Sequence, residues 1–337
     1  MIFLFLMRNF NNFVKNNHKR YFVMRKIVFL TALVVIGLAS CKKNQEFKDE
    51  DGHTSEDNQN VQSNTDGAVS DANIAVSNNN LLAGKTMTPA QIAATSICGA
   101  TVDTSLRVQG IVTINYDGVT ACNNRKRSGS IKVTLVDYVN GKRWKDVGAV
   151  LQLDYTTYKV TRVSDSKSLT FDGTHTITNV TGGYWVLLVF ALQPSLAVTV
   201  AGTNLDVTFD DGNHSTWNIN RKYTYTYANA VLTCKGEGLG SQDGLSNLEN
   251  WGTTREGDNF TSQVSTPIIW NSSCGANAPI EGQLIIRVDA KQFELTTTAA
   301  VDQSGNVVAP AVNNCAYGFK VEWKYKKKTK AKIYKYL

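Results

Sequence analysis

The chain has 337 residues, 19% of them charged and 42% hydrophobic, with a formal net charge of +7. That length suits one large or two modest domains. Residues 41–319 hold 21 of the 35 basic residues and 27 of the 28 acidic ones, so the body is acidic and no nucleic-acid partner is expected.

Near the N terminus, Met24-Arg25-Lys26 precedes an apolar stretch from Ile27 to Gly37 and then Leu38-Ala39-Ser40-Cys41. Cations, a short apolar run and small residues before a cleavage point read as a secretory signal. As a helix the run would rise only about 17 Å, short of a bilayer core of about 30 Å, so a permanent span is not expected. The Leu-Ala-Ser-Cys ending resembles a bacterial lipobox. The resemblance implies a diacylglycerol on the Cys41 thiol and Cys41 as the first mature residue. Each buried acyl CH₂ contributes about 0.8 kcal/mol, so several chains anchor a protein stably. Residues 1–40 are therefore expected to be a signal-peptide region, with translation starting at Met24.

Residues 41–85 are rich in Ser, Asn and Asp. Such a stretch buries little apolar surface and reads as a disordered tether. Within it Asp49-Glu50-Asp51 resemble the surface-export signal of Bacteroidota lipoproteins, although they lie eight to ten positions after Cys41. Outer-membrane anchoring, with display at the cell surface, is the expected location. One short helix is expected after Thr88-Pro89, where an N-cap and a first-turn proline precede good helix formers.

Beyond that point alternation dominates. Val112, Ile114 and Tyr116 alternate with polar residues, as do Ile131, Val133 and Leu135, and Leu151, Leu153 and Tyr155. Trp217, Ile219, Arg221, Tyr223, Tyr225 and Tyr227 share one side of a long strand. Ile285 and Phe293 mark later strands, and Phe319, Val321, Trp323 and Tyr325 a last one. Asp117-Gly118, Asn140-Gly141, Asp172-Gly173 and Asp211-Gly212 supply hairpin turns. The continuous apolar run Tyr184 to Leu192 reads as a strand buried on both faces. The pattern predicts an all-β body of antiparallel, sandwich-like sheets. Similar Cys-Gly-Ala sequences at Cys98 and Cys274 suggest two related modules, 86–230 and 231–325, followed by a solvated Lys-rich tail, 326–337.

Several blocks resemble a family of Bacteroidota cell-envelope lipoproteins. They are Cys122 with Arg125-Lys126-Arg127-Ser128-Gly129-Ser130-Ile131, Thr174 to Val180, Asp211-Gly212 with Trp217 and Arg221, and Ser273-Cys274-Gly275 with Pro279 and Gly282. The resemblance spans roughly 95–325. It implies export and a β fold, and carries no activity.

Besides Cys41 the chain has five cysteines. An exported protein meets an oxidising compartment. Spacing suggests bridges Cys98–Cys122 and Cys274–Cys315 with Cys234 unpaired, although other pairings and buried free thiols stay open. With no Cys-x-x-Cys and no nearby His pair, no zinc or other metal site is expected.

The functional hints are few. Arg125, Lys126 and Arg127 could hold an oxyanion, or could simply guard a hairpin edge. Trp217, Tyr223 and Tyr225 could form a sugar-stacking platform, or could be the core face of their strand. Asp210-Asp211 with His214 is the nearest approach to a hydrolytic pair, and His175 stands alone. No catalytic motif is present. The expected function is therefore binding or adhesion by a lipid-anchored protein, with a polysaccharide or another envelope protein as partner. The alternatives are a structural envelope lipoprotein and, less favoured, a secreted hydrolase. No catalytic residue and no cofactor is assigned.

Overall fold

The computed structural model describes residues 50–84, 96–184, 187–188, 190–275, 278–309 and 315–336. The secretory signal, Met24, Cys41 and the helix expected after Thr88 lie outside them. The expected all-β, antiparallel, sandwich-like body forms as fifteen strands of one sheet. The first seven are β1 (Ala100–Asp103), β2 (Ile111–Asp117), β3 (Arg125–Leu135), β4 (Ala149–Arg162), β5 (Ser168–Asn179), β6 (Leu196–Phe209) and β7 (His214–Ala228). Each pairs with the next.

After β7 the order branches. β8 (Val231–Gly238) and β10 (Leu245–Thr253) share the position between β7 and β11 (Asn259–Asn271), and short β9 (Gly240–Gln242) pairs with β10. The sheet continues through β12 (Glu281–Val288), β13 (Phe293–Val301), β14 (Gly318–Tyr325) and β15 (Lys328–Lys335). The boundary expected at 230/231 falls in the β7–β8 hairpin, whose ladder runs from Arg221↔Gly238 to Ala228↔Val231. The two expected halves therefore share one sheet and one core.

Alternation explains which face is buried. In β4, Leu151, Leu153, Tyr155, Tyr158 and Val160 point inward and are buried. The outward residues are polar, with Lys132 of β3 and Asp154 of β4 paired at 3.0 Å across the strands.

The stretch expected to be a tether is corrected by the structure. Residues 50–84 form a 28-residue helix, α1 (Glu50–Ser77), and a short α2 (Asn80–Ala83). α1 lies in the concave face of the sheet and contacts strands on several sides. Its C-terminal half buries Ala68, Val69, Ala72, Ile74, Ala75 and Val76 in the common core. Its N-terminal half is polar, and arginines on the strands and the β10–β11 turn satisfy it. Arg255 Nε donates to Asp57 at 2.8 Å, Arg162 to Glu56 at 3.0 Å, and Arg125 to Asn64 at 2.8 Å. Asp71 accepts from Arg127 and from Tyr116. Trp144 Nε1 fixes the far end by donating to Asn73 at 2.8 Å.

Two further expectations are corrected. The described residues of the Tyr184 to Leu192 run form no strand. Leu187–Leu188 is helical, Leu188 is buried, and Phe190 and Leu192 are 57% and 73% exposed. The Lys-rich tail is in fact β15, paired with β14 along its whole length from Gly318↔Lys335 to Tyr325↔Lys328. Tyr334 stacks on Phe319 with ring centroids 5.3 Å apart, which fixes the register. Lysines on so exposed an edge discourage pairing with another sheet.

Candidate functional site

Where α1 leaves the concave face uncovered, strands β7, β8 and β10–β14 enclose a half-open cavity of about 190 Å³. Inward-facing residues form its walls: Val264, Ile268 and Trp270 of β11, Leu284 of β12, Ala299 of β13 and Phe319 of β14. Two glycines make room for them. A Cβ on Gly236 would sit 3.2 Å from the Trp270 ring, and one on Gly282 (φ +135°) would sit 2.7 Å from the Ile268 Cα. Tyr336 closes one side. Its hydroxyl donates to the Pro279 carbonyl at 2.9 Å and accepts from the Ala300 N–H at 3.0 Å.

The floor is polar, formed by half-buried Gln62 of α1 and Tyr223 of β7 and by buried Arg221 of β7 and Glu249 of β10. A break in strand alternation places Glu249 there. The β10–β11 register shifts between Leu248 and Asn250, so Leu248, Glu249 and Asn250 are all buried in succession. Bulges of this kind re-aim side chains. The Glu249 carboxyl accepts from Ser262 Oγ at 3.0 Å and from Gln62 Nε2 at 3.1 Å. Burial pushes its pKa above the ordinary glutamate value, and the charge of Arg221 offsets this only in part.

Arg221 is 1% exposed. It donates to Asp66 at 3.0 Å and to Thr65 Oγ1 at 3.1 Å, while its Nε has no partner among the described residues. Burial is the largest single effect and opposes its charge, but Asp66, Tyr223 and Glu249 together outweigh it and hold the guanidinium protonated. The Tyr223 hydroxyl donates to Asp66 at 3.2 Å, and burial raises its pKa. The arrangement offers an apolar space whose floor includes the buried residues Glu249 and Arg221. It suits a small apolar molecule with one polar end.

The residues singled out by sequence divide sharply. Trp217 and Tyr225 are each 1% exposed, so the stacking platform is corrected: buried rings cannot receive a sugar. Trp217 packs against Phe260 with centroids 4.4 Å apart and donates from Nε1 to Ser215 Oγ at 2.6 Å. Tyr223 does line the cavity, through its contact with Asp66. Arg125 and Arg127 turn inward to α1, so they form no oxyanion cradle with Lys126, which stays on the exposed face. The bridges Cys98–Cys122 and Cys274–Cys315 both form. Cys234 is free and buried, and burial raises its thiol to about 12.

The candidate hydrolytic groups do not converge. His214 lies on the exposed face 3.5 Å from Asp206, while Asp211 pairs with Arg255 at 3.2 Å. His175 is buried 2.9 Å from the Tyr155 hydroxyl. Among the described residues no group of three or more His, Cys, Asp or Glu could hold a metal, and no helix is long and apolar enough to cross a membrane. Glu249 and Gln62 escaped the sequence reading. The nearest signal was Gly236, Gly238 and Gly240 at alternate positions, since glycine inside a strand marks a close approach. A Cβ on Gly238 would meet the Asn247 carbonyl at 2.1 Å. Comparison with known proteins finds no matching family model, no similar curated protein and no similar solved structure.

Proposed function

We propose that this chain is an exported envelope lipoprotein, anchored through Cys41, that binds a small, mainly apolar molecule with one hydrogen-bonding end. The cavity carries the reading: apolar walls over a polar floor that includes the buried residues Glu249 and Arg221. A volume of about 190 Å³ is below the roughly 300–1,000 Å³ of sites for drug-sized ligands. The occupant is thus a small molecule, or one arm of a larger envelope lipid. Two disulfides agree with an oxidising compartment. The proposed role is binding rather than catalysis. A glycan is the weaker candidate, because Trp217 and Tyr225 are buried.

Native mass spectrometry of protein released from its own membranes tests the reading. The expected result is one small apolar molecule per chain, lost in Ala299→Phe, whose ring fills the cavity. Bare protein that also fails to take up added 1-octanol would favour a purely structural envelope role.

A further inference from the structure

Eight lysines and one glutamate lie between residues 320 and 337, and the cavity uses none of them. Lys324, Lys326 and Lys327 gather at the β14–β15 turn. Four of the nearby acids are engaged by other cations, while Asp289 of the β12–β13 turn is exposed. Glu294, opposite Lys324 in the ladder, binds Arg287 at 2.9 Å, and Glu322 binds Lys320 at 3.2 Å. Lys291 holds Glu256 and Asp258 at 3.6 and 3.4 Å. The turn therefore carries surplus positive charge beside a body, residues 41–319, that holds 21 basic and 27 acidic residues.

A chain of contacts ties this turn to the start of α1. The Lys326 N–H donates to the Gln292 carbonyl at 3.0 Å, and Gln292 directly follows Lys291. Lys291 reaches Glu256 and Asp258 in the β10–β11 turn, and Arg255 of that turn binds Asp57 of α1. The lysines and the N-terminal end of α1 thus occupy the same end of the rolled sheet. Cys41 precedes Glu50 by nine residues, a reach of at most about 30 Å, so an anchor at Cys41 would hold this end toward the membrane.

The geometry points to an anionic phospholipid surface as the partner of this end, with the β14–β15 turn docked on its headgroups and orienting the body. The membrane-facing direction rests on the anchoring proposed above, whereas the headgroup contact rests on the lysines alone. One lysine near an anionic surface contributes about fivefold in binding, and salt screens the attraction over roughly 8–10 Å.

The test is co-sedimentation of residues 42–337, which keep every described element and cannot be acylated at Cys41. The vesicles are phosphatidylcholine alone or phosphatidylcholine mixed with phosphatidylglycerol. The expected result is binding to the anionic vesicles only, lost at high salt and at least tenfold weaker in Lys324→Glu/Lys326→Glu/Lys327→Glu. Lys132→Glu/Lys159→Glu, on the outward face of β3 and β4, should bind as the parent does, with circular dichroism confirming both folds. Equal binding by the triple variant, equal binding to both vesicles, or no binding would overturn the proposal. An unacylated Cys41 in protein from cells would remove the anchor and leave the vesicle result standing.

Discussion

Arg221 of β7 and Asp66 of α1 meet at 3.0 Å although 155 residues separate them in sequence. The guanidinium is almost wholly sheltered from water. Removing one partner of such a pair leaves an uncompensated buried charge, which costs about 3–5 kcal/mol. Asp66→Ala should therefore lose stability on that scale in urea unfolding. Replacing both partners with apolar residues of similar volume should cost far less. If Asp66→Ala unfolds at the parent's urea midpoint, the pair does not tie the helix to the sheet.

A tether and an inserted helix respond differently to a charge. Ala68 and Ala72 of α1 are fully buried, so Ala68→Asp should destabilise the body by several kcal/mol, as an unpaired buried carboxylate does. Lys126→Asp on the outward face should stay within about 0.5 kcal/mol. Thermal unfolding of the two variants checks the contrast. A harmless Ala68→Asp would restore the tether.

Much of the sheet is legible in the sequence because strand alternation is local. Val112, Ile131 and Leu151 point inward as their pattern predicts, and both bridges join cysteines close along the chain. α1 is illegible for the opposite reason. Its residues are too polar to imply burial, and the arginines that satisfy them lie on β3, β4, β7 and the β10–β11 turn. Glu249 is hidden too, since only the register shift turns it inward. In β15, lysine content masks a strand held by its pairing with β14 and by Tyr334 on Phe319.

His175 should make the fold acid-sensitive. Burial, assisted by the nearby Arg221 charge, pulls its pKa from 6.5 down to about 3. Its folded-state pKa is depressed, so the unfolded chain takes up the proton first as pH drops below 6.5. Stability present above pH 6.5 is then lost toward pH 3, at up to about 1.4 kcal/mol per pH unit. Denaturant melts across that window should show a smaller loss in His175→Phe. Parallel curves for the two proteins would contradict this account of His175.

The Cys274–Cys315 bridge closes a longer loop than Cys98–Cys122, with separations of 41 and 24. Loop entropy assigns each about 3–4 kcal/mol. Cys274→Ala/Cys315→Ala should therefore lower the urea midpoint clearly and steepen the slope, because the uncrosslinked denatured chain exposes more surface. Buried Cys234 should resist a thiol reagent until the protein unfolds. Rapid labelling of Cys234 in the native protein would mean that the core is open.

An apolar cavity over a polar floor should take up an alkyl chain headed by a hydroxyl, and calorimetric titration with 1-alkanols of increasing length measures that uptake. Each buried methylene contributes about 0.8 kcal/mol, or about fourfold in affinity. Affinity should climb by that factor per methylene and level off once the cavity is full. In addition, 1-octanol should bind more tightly than octane, and Ala299→Phe should abolish binding of both. Affinity independent of chain length, or undiminished in Ala299→Phe, would show that the cavity is not a binding site.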